Sequence, residues 1–308
     1  TLSIHCFVNE YVYAESDEET QLIGELQAKI KQTIKQTEQP TTEKVLCLAS
    51  YRPLHQYDWC RKLKALDNLK EIKARLIEEP LAEKVIAQDI PVFGDIIDNV
   101  SLKVRAQYEE NPYPRWFKTG IALQAKSVSE VCDDENLYLY SEGIKSVTAP
   151  SILIAGCGTG QHAIGTASRF TGCQVTAVDL SLASLAYAKR KTNELKITNL
   201  DFLQGDILEL EKLDQEFDII ESSGVLHHMY EPLVGWRVLT DLLKPGGLIR
   251  IGLYSDLARQ HIVKIREEIK LQKVGTSEAE IREFRRSLAQ SLDNNHQLLT
   301  KSSDFFSL

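Results

Sequence analysis

The apolar residues of the chain change rhythm near Pro150. Before it they recur at helical spacing: Leu22, Ile23, Leu26, Ile30 and Ile34 fall close to one stripe within residues 19–37, and Pro40 ends the run. The same spacing predicts helices over 44–49, 58–78, 81–88 and 95–108, punctuated by Pro53, Pro80 and Pro91. After Pro150, short β-branched runs alternate with helical patterns, the signature of parallel βαβ units. Residues 151–155, 174–179, 200–204, 217–222 and 247–254 read as strands, with helices over 160–170, 182–194 and 231–243 between them. Residues 257–293 read as two more helices, broken near Gly275 and Thr276. The pattern predicts an all-α module over residues 1–104 and an α/β domain over residues 105–308, the latter a doubly wound, mostly parallel sheet.

Composition narrows the class of protein. Of 308 residues, 43% are hydrophobic and 26% charged, which excludes a disordered or fibrous chain. A formal charge of −8 gives no general attraction to nucleic acid or to an anionic membrane. No apolar run approaches the ~18 residues of a membrane span, and the first residues lack the order of a signal peptide, so a protein without a membrane partner is expected. Cys6, Cys47, Cys60, Cys132, Cys157 and Cys173 stand singly, with no C-x-x-C pair. Neither a zinc site nor a disulfide framework is indicated, and a cytoplasmic setting is expected. The chain opens on Thr1 and stops at Leu308 soon after an amphipathic stretch, which reads as a piece of a longer polypeptide.

The chemistry starts at Ile152-Leu-Ile-Ala-Gly156-Cys157-Gly158-Thr-Gly160, an apolar strand running into a glycine turn that opens a helix. Glycines there let the backbone approach a ligand closely, and the helix start offers unpaired N–H groups. A dinucleotide fingerprint wants its third glycine three residues after the second, where this chain has Gln161. The departure points to a ligand without a pyrophosphate. Asp179 ends the next strand, where a carboxylate can accept both hydroxyls of a ribose. Asp206, after Gly205, stands where it can accept from an adenine amino group while Ile207 packs on the ring. Taken alone, each carboxylate reads equally as a helix cap.

Together, these residues resemble the class I S-adenosylmethionine-dependent methyltransferases. The resemblance runs in order through the glycine loop, Asp179, the Gly205-Asp206 pair, Phe217-Asp-Ile-Ile-Glu-Ser-Ser-Gly-Val-Leu-His-His-Met229 and Leu242-Leu-Lys-Pro-Gly-Gly-Leu-Ile-Arg-Ile251. It implies a Rossmann-like sheet of seven strands and S-adenosyl-L-methionine as cofactor. It implies that Gly156, Cys157, Gly158 and Gly160 wrap the methionine part and that Asp179 with Leu180 holds the ribose. Gly205, Asp206 and Ile207 would hold the adenine, and Ser222 would complete the site. The family ends in a helix and an antiparallel strand pair after the position of Tyr254, whereas helical patterns run on here, so a domain truncated at its C-terminus, or a sheet completed differently, is expected. A narrower likeness, carried by Gln107-Tyr-Glu-Glu-Asn-Pro-Tyr-Pro-Arg-Trp116, Cys6-Phe-Val-Asn-Glu-Tyr11 and Ala49-Ser-Tyr-Arg-Pro-Leu-His55, is to the methyltransferase portion of bacterial proteins with tetratricopeptide repeats ahead of it.

Asn111-Pro112-Tyr113 is similar to the motif with which base-methylating enzymes hold a flipped base, but it stands before the glycine loop, and the slot after the fourth strand reads Glu221-Ser-Ser-Gly-Val225. With the acidic charge, this argues against nucleic acid as a partner. The segment reads instead as a lid whose aromatic residues, Tyr108 among them, cover the cofactor and exclude water, or as a turn packing Tyr113 and Trp116 into the core. His227 and His228 follow the fourth strand at the edge where α/β sheets place ligands. Some family members with a Leu-His-His-Met run use a histidine there as base; His227 is the candidate, with Asp256 placed to orient it, and the plainer role is a loop cap. The basic excess of the late helices reads as a solvated face or as a steering surface. The sequence thus predicts methyl transfer to a small-molecule or protein acceptor that it does not name, with nucleic-acid methylation or an inactive cofactor-binding scaffold as alternatives.

Overall fold

The alternating pattern after Pro150 forms one parallel sheet in the computed structural model of the chain, which describes residues 2–64, 69–275, 277–301 and 305. The strands are β1 (Ser151–Ala155), β2 (Gln174–Asp179), β3 (Leu200–Gln204), β4 (Phe217–Ser223) and β5 (Leu243–Gly252), in the order β3-β2-β1-β4-β5. In β1, Ile152, Leu153, Ile154 and Ala155 are all fully or almost fully buried. A central parallel strand is covered on both faces, so its sequence is continuously apolar, and each large aliphatic side chain so buried contributes about 1.5–3 kcal/mol.

The two faces have separate cores. Helices Gln161–Arg169 and Leu182–Glu194 cover Ile152, Ile154, Val175, Ala177 and Ile219. Helix Pro232–Asp241 and the turn Ile207–Lys212 cover Leu153, Ala155, Val178 and Ile220. The chain changes faces between β1 and β4, and that reversal opens a crevice at the C-terminal ends of those neighbouring strands. The resemblance implies seven strands; five are present among the described residues.

The chain divides into two compact units at other points than the 104/105 break. Glu83–Tyr254 make one unit, and the stretches up to Ala82 and from Ser255 onward make the other. Residues 83–104 go with the sheet because their bonds are there. Glu83 accepts from the Arg190 guanidinium at 2.8 Å, and Phe93 N–H donates to Gln204 O at the β3 edge, also at 2.8 Å. Helix Asn99–Glu110 is held at its far end by Glu109, whose carboxylate accepts from the N–H groups of Leu182 (2.7 Å) and Ala183 (3.1 Å). A carboxylate at a helix start satisfies orphan donors and matches the helix dipole.

The other unit is helical, as its apolar spacing predicts. Helix Asp17–Lys35 starts at a Ser16 capping box with Glu19 and presents Ile23, Ile30 and Ile34 to a core shared with Leu48, Leu54 and Leu76. Thr42–Ala49 and Glu79–Ile86 match the expected helices within a few residues. The long helix expected over 58–78 is instead a 3₁₀ turn at Cys60–Lys62, a short helix Lys70–Lys73 and a π turn Ala74–Glu78; residues 65–68 of that expectation lie outside the described residues. Helices Gln260–Gln272, Glu278–Gln290 and Asn294–Thr300 end the described chain, three where two are expected; the expected break reaches Thr276, outside the described residues. No helix among the described residues is long and apolar enough to cross a membrane.

Candidate functional site

A cavity of about 360 Å³ opens at the C-terminal ends of β1 and β4, lined entirely by the sheet unit. Its floor is the glycine loop. Gly156, Gly158 and Gly160 all take left-handed backbone angles, with φ of +77°, +52° and +82°. Two of them are also sterically required: a Cβ on Gly156 would collide with the Val225 side chain, and one on Gly160 would sit 2.5 Å from the Ala188 Cβ. Only glycine combines that backbone with that approach.

The loop spends its own donors. The N–H groups of Gly156 and Cys157 both donate to Val178 O, that of Gly160 to Cys157 O and that of Gly158 to the Asp179 carboxylate. Dinucleotide loops turn such groups toward a pyrophosphate. Here four loop N–H groups are already committed, which suits a ligand without phosphates. Cys157 is buried, and burial first, then the neighbouring Asp179 charge, push its thiol well above the usual range. It lines the wall as an inert apolar group.

Asp179 and Asp206 stand at the ends of β2 and β3 on the same cavity. Asp179 accepts at Oδ2 from Gly158 N–H (2.7 Å) and at Oδ1 from Ser181 N–H (3.0 Å), so each oxygen keeps one lone pair for a further donor. Burial raises its carboxyl above the usual aspartate range, against the pull of those two backbone donors. Asp206 caps the turn that follows it through Oδ1, which accepts from Leu208 N–H at 3.0 Å. Its Oδ2 has no partner among the described residues, and Ile207 and Leu180 line the cavity with it. The cap and the ligand readings of both acids are therefore compatible: one oxygen or lone pair serves the fold and the other faces the cavity.

The lid segment lies over the loop. Tyr108, Tyr113 and Pro114 line the cavity, and Val100, Ser101 and Val104 extend that wall along the same helix. Pro114 O accepts from Thr159 Oγ1 at 2.7 Å, and the buried Trp116 donates from Nε1 to Thr159 O at 3.1 Å. Tyr187 OH donates to Trp116 O. Burial pushes the Tyr187 phenol up to about 12, so it remains a donor throughout the physiological range.

Three expected site residues are not on the wall: Gly160 turns the loop but lies against Ala188, and Ser222 and His227 are placed elsewhere. Ser222 is buried and donates to Ala155 O at 2.9 Å inside the sheet; its neighbour Ser223 lines the cavity instead. His227 is not on the wall. Its ring lies tilted, with its centroid 4.2 Å from those of both His228 and Tyr254, and those two are the ones that line the cavity. Asp256 falls in the other unit, where its Oδ2 accepts from Gln260. One wall residue, His162, and the buried acid behind it escape motif reading altogether. His162, in the first turn of the helix after the loop, lies with Nε2 2.6 Å from Oε2 of the buried Glu221 at the end of β4. Both carried a signal: His162 and Thr166 share one helix face, and Glu221 interrupts an otherwise apolar strand.

Residues 152–247 match the family model described as a methyltransferase domain. The chain is 35% identical over 123 residues to a Synechococcus protein, covering 40% of this chain and 30% of that one. It is 33% identical over 113 residues to the (S)-coclaurine N-methyltransferase of Papaver somniferum, covering 37% and 32%. Among solved structures, PKMT2 from Rickettsia typhi in complex with AdoHcy aligns with a TM-score of 0.40 at 22% identity, over 50% of this chain and 33% of that one. The chain spans about a third of the length of the curated relatives it matches. With the matched family model, the strand order, glycine loop and paired acids place the sheet unit in the class I S-adenosylmethionine-dependent methyltransferases.

Proposed function

We propose that the chain transfers a methyl group from S-adenosylmethionine to a small-molecule or protein acceptor in this cavity. One observation carries the reading: two left-handed glycines, Gly156 and Gly158, and two carboxylates with spare lone pairs meet on one cavity, at the point where the sheet reverses its winding. The residues fit the cofactor by their chemistry. Asp179 offers acceptors for two ribose hydroxyls, Asp206 Oδ2 an acceptor for an adenine amino group, and the closely packed glycines a floor without side chains.

When bound, the cofactor supplies an electrophilic methyl group on a sulfonium. The chain's own contribution is positioning, which holds the reactants in line, and exclusion of water by the Tyr108–Pro114 wall. His228 and Tyr254 line the same cavity and are available to an acceptor.

Calorimetry with S-adenosylhomocysteine and with NADH tests the reading. Binding of the first and not the second is expected, with an Asp179→Ala variant losing most of the affinity. Tight NADH binding without a response to S-adenosylhomocysteine would overturn it.

A further inference from the structure

Glu221 is a buried acid in strand β4. It is 3% exposed, in register with Ile154 of β1 and Arg250 of β5, and points at the helix that follows the glycine loop. Its Oε2 accepts from Thr166 Oγ1 at 2.8 Å and faces His162 Nε2 at 2.6 Å. Its Oε1 lies 4.0 Å from the Arg169 guanidinium and 3.9 Å from that of Arg250. Burial would raise this carboxyl, but the His162 and Thr166 bonds and the Arg169 charge more than offset it, so the group is held below the usual glutamate range and ionised.

An ionised carboxylate is acceptor-only, so His162 Nε2 must carry the proton between them. In the neutral imidazole, that leaves the lone pair on Nδ1. No group among the described residues bonds that nitrogen, and His162 lines the cavity beside the glycine loop. A carboxylate that fixes the tautomer of one ring nitrogen and stabilises the cation formed when the other takes a proton is the arrangement of a general base.

Resting on the methyltransferase reading above, we infer that His162, oriented by Glu221, is the base that takes the acceptor's proton. The acceptor is then an O–H or N–H nucleophile. Its lone pair forms the bond to the methyl carbon, the carbon–sulfur bond breaks with its electron pair going to sulfur, and the acceptor's proton passes to His162 Nδ1. Glu221 is the positioning residue: it touches neither reactant, and it sets which nitrogen is free.

The test has two readouts. In protein with ¹⁵N-labelled histidine, two-bond proton–nitrogen correlations should show His162 as the Nε2–H tautomer with S-adenosylhomocysteine bound, and Glu221→Gln, whose amide can accept or donate, should lose that fixed tautomer. A Nδ1–H tautomer in the wild-type protein overturns the assignment, whether or not an acceptor is found. With methyl-labelled S-adenosylmethionine and a cell extract, His162→Gln should lower transfer about 10²- to 10⁴-fold while binding S-adenosylhomocysteine within about threefold of wild type. Unchanged transfer overturns the inference, and so does a large loss of S-adenosylhomocysteine affinity, which would make His162 a cofactor ligand. Failure of the wild-type chain to bind S-adenosylhomocysteine at all would instead remove the methyltransferase reading.

Discussion

The glycine loop allows its steric and conformational demands to be separated by two single substitutions. At Gly158, φ is +52° and the nearest atom to an added Cβ is Tyr113 O at 3.7 Å, an ordinary contact. Alanine there costs only the left-handed backbone, about 1–2 kcal/mol. At Gly160, φ is +82° and the added Cβ would lie 2.5 Å from the Ala188 Cβ and 3.2 Å from its Cα, in a helix whose inner face is fully buried. Carbon atoms rest at about 3.5–4.0 Å, so the loop or the helix must shift, and overpacking adds about 1–3 kcal/mol to the same backbone term. Gly160→Ala should therefore destabilise by about 2–5 kcal/mol, clearly more than Gly158→Ala. Urea unfolding followed by tryptophan fluorescence measures it, because Trp116 donates to Thr159 O beside Gly160. With Trp59→Phe and Trp236→Phe as background, Trp116 is the one remaining of the three tryptophans and reports the sheet unit. Equal midpoint shifts for the two alanine variants at unchanged slope would refute the steric argument.

Three further outcomes are expected. The Asp179 carboxyl, raised by burial, binds its proton more tightly folded than unfolded; the stability it contributes is complete below its unfolded pKa and is lost as pH rises through the raised value. Denaturation between about pH 3 and 7 should show that decline, and Asp179→Asn should remove it, while S-adenosylhomocysteine affinity rises over the same window as the ionised acceptor forms. Asp206→Asn should keep the cap on Leu208 and hence most of the stability, yet turn an amide donor toward the adenine amino group and weaken S-adenosylhomocysteine binding about tenfold by calorimetry. Tyr187→Phe leaves the carbonyl of the buried Trp116 without its donor and should cost about 1–3 kcal/mol in a chemical denaturation series.

Strand positions in the sheet unit follow from sequence because local chemistry ends each one. β1 stops at the left-handed Gly156, β2 at Asp179 and β3 before Gly205, and all three have the bounds that the apolar runs predict. β5 does not: it begins at Leu243, through Lys-Pro-Gly-Gly, because Leu243 pairs with Phe217 of β4 in a register no local propensity would choose. The glycines and both acids were legible for the same local reason, since each lies at a strand end or within five residues after one. The unit boundary was not, because it depends on Glu109 reaching the start of a helix more than seventy residues on.

What only the tertiary structure decided is which of two adjacent residues faces the cavity, and which distant polar groups meet. Neighbouring residues on a strand point to opposite faces, so a one-residue difference moves a side chain from the core to the site. That parity sends Ser222 inward and Ser223 to the cavity, and the turn after β4 likewise shows His228 to the wall while His227 packs against it off the wall. His162 and Glu221 stand 59 residues apart in the chain. Each alone reads as a polar residue in an apolar setting. Their pairing exists because β4 lies beside β1 in the sheet and the helix after β1 crosses that seam, a consequence of strand order that no local pattern encodes.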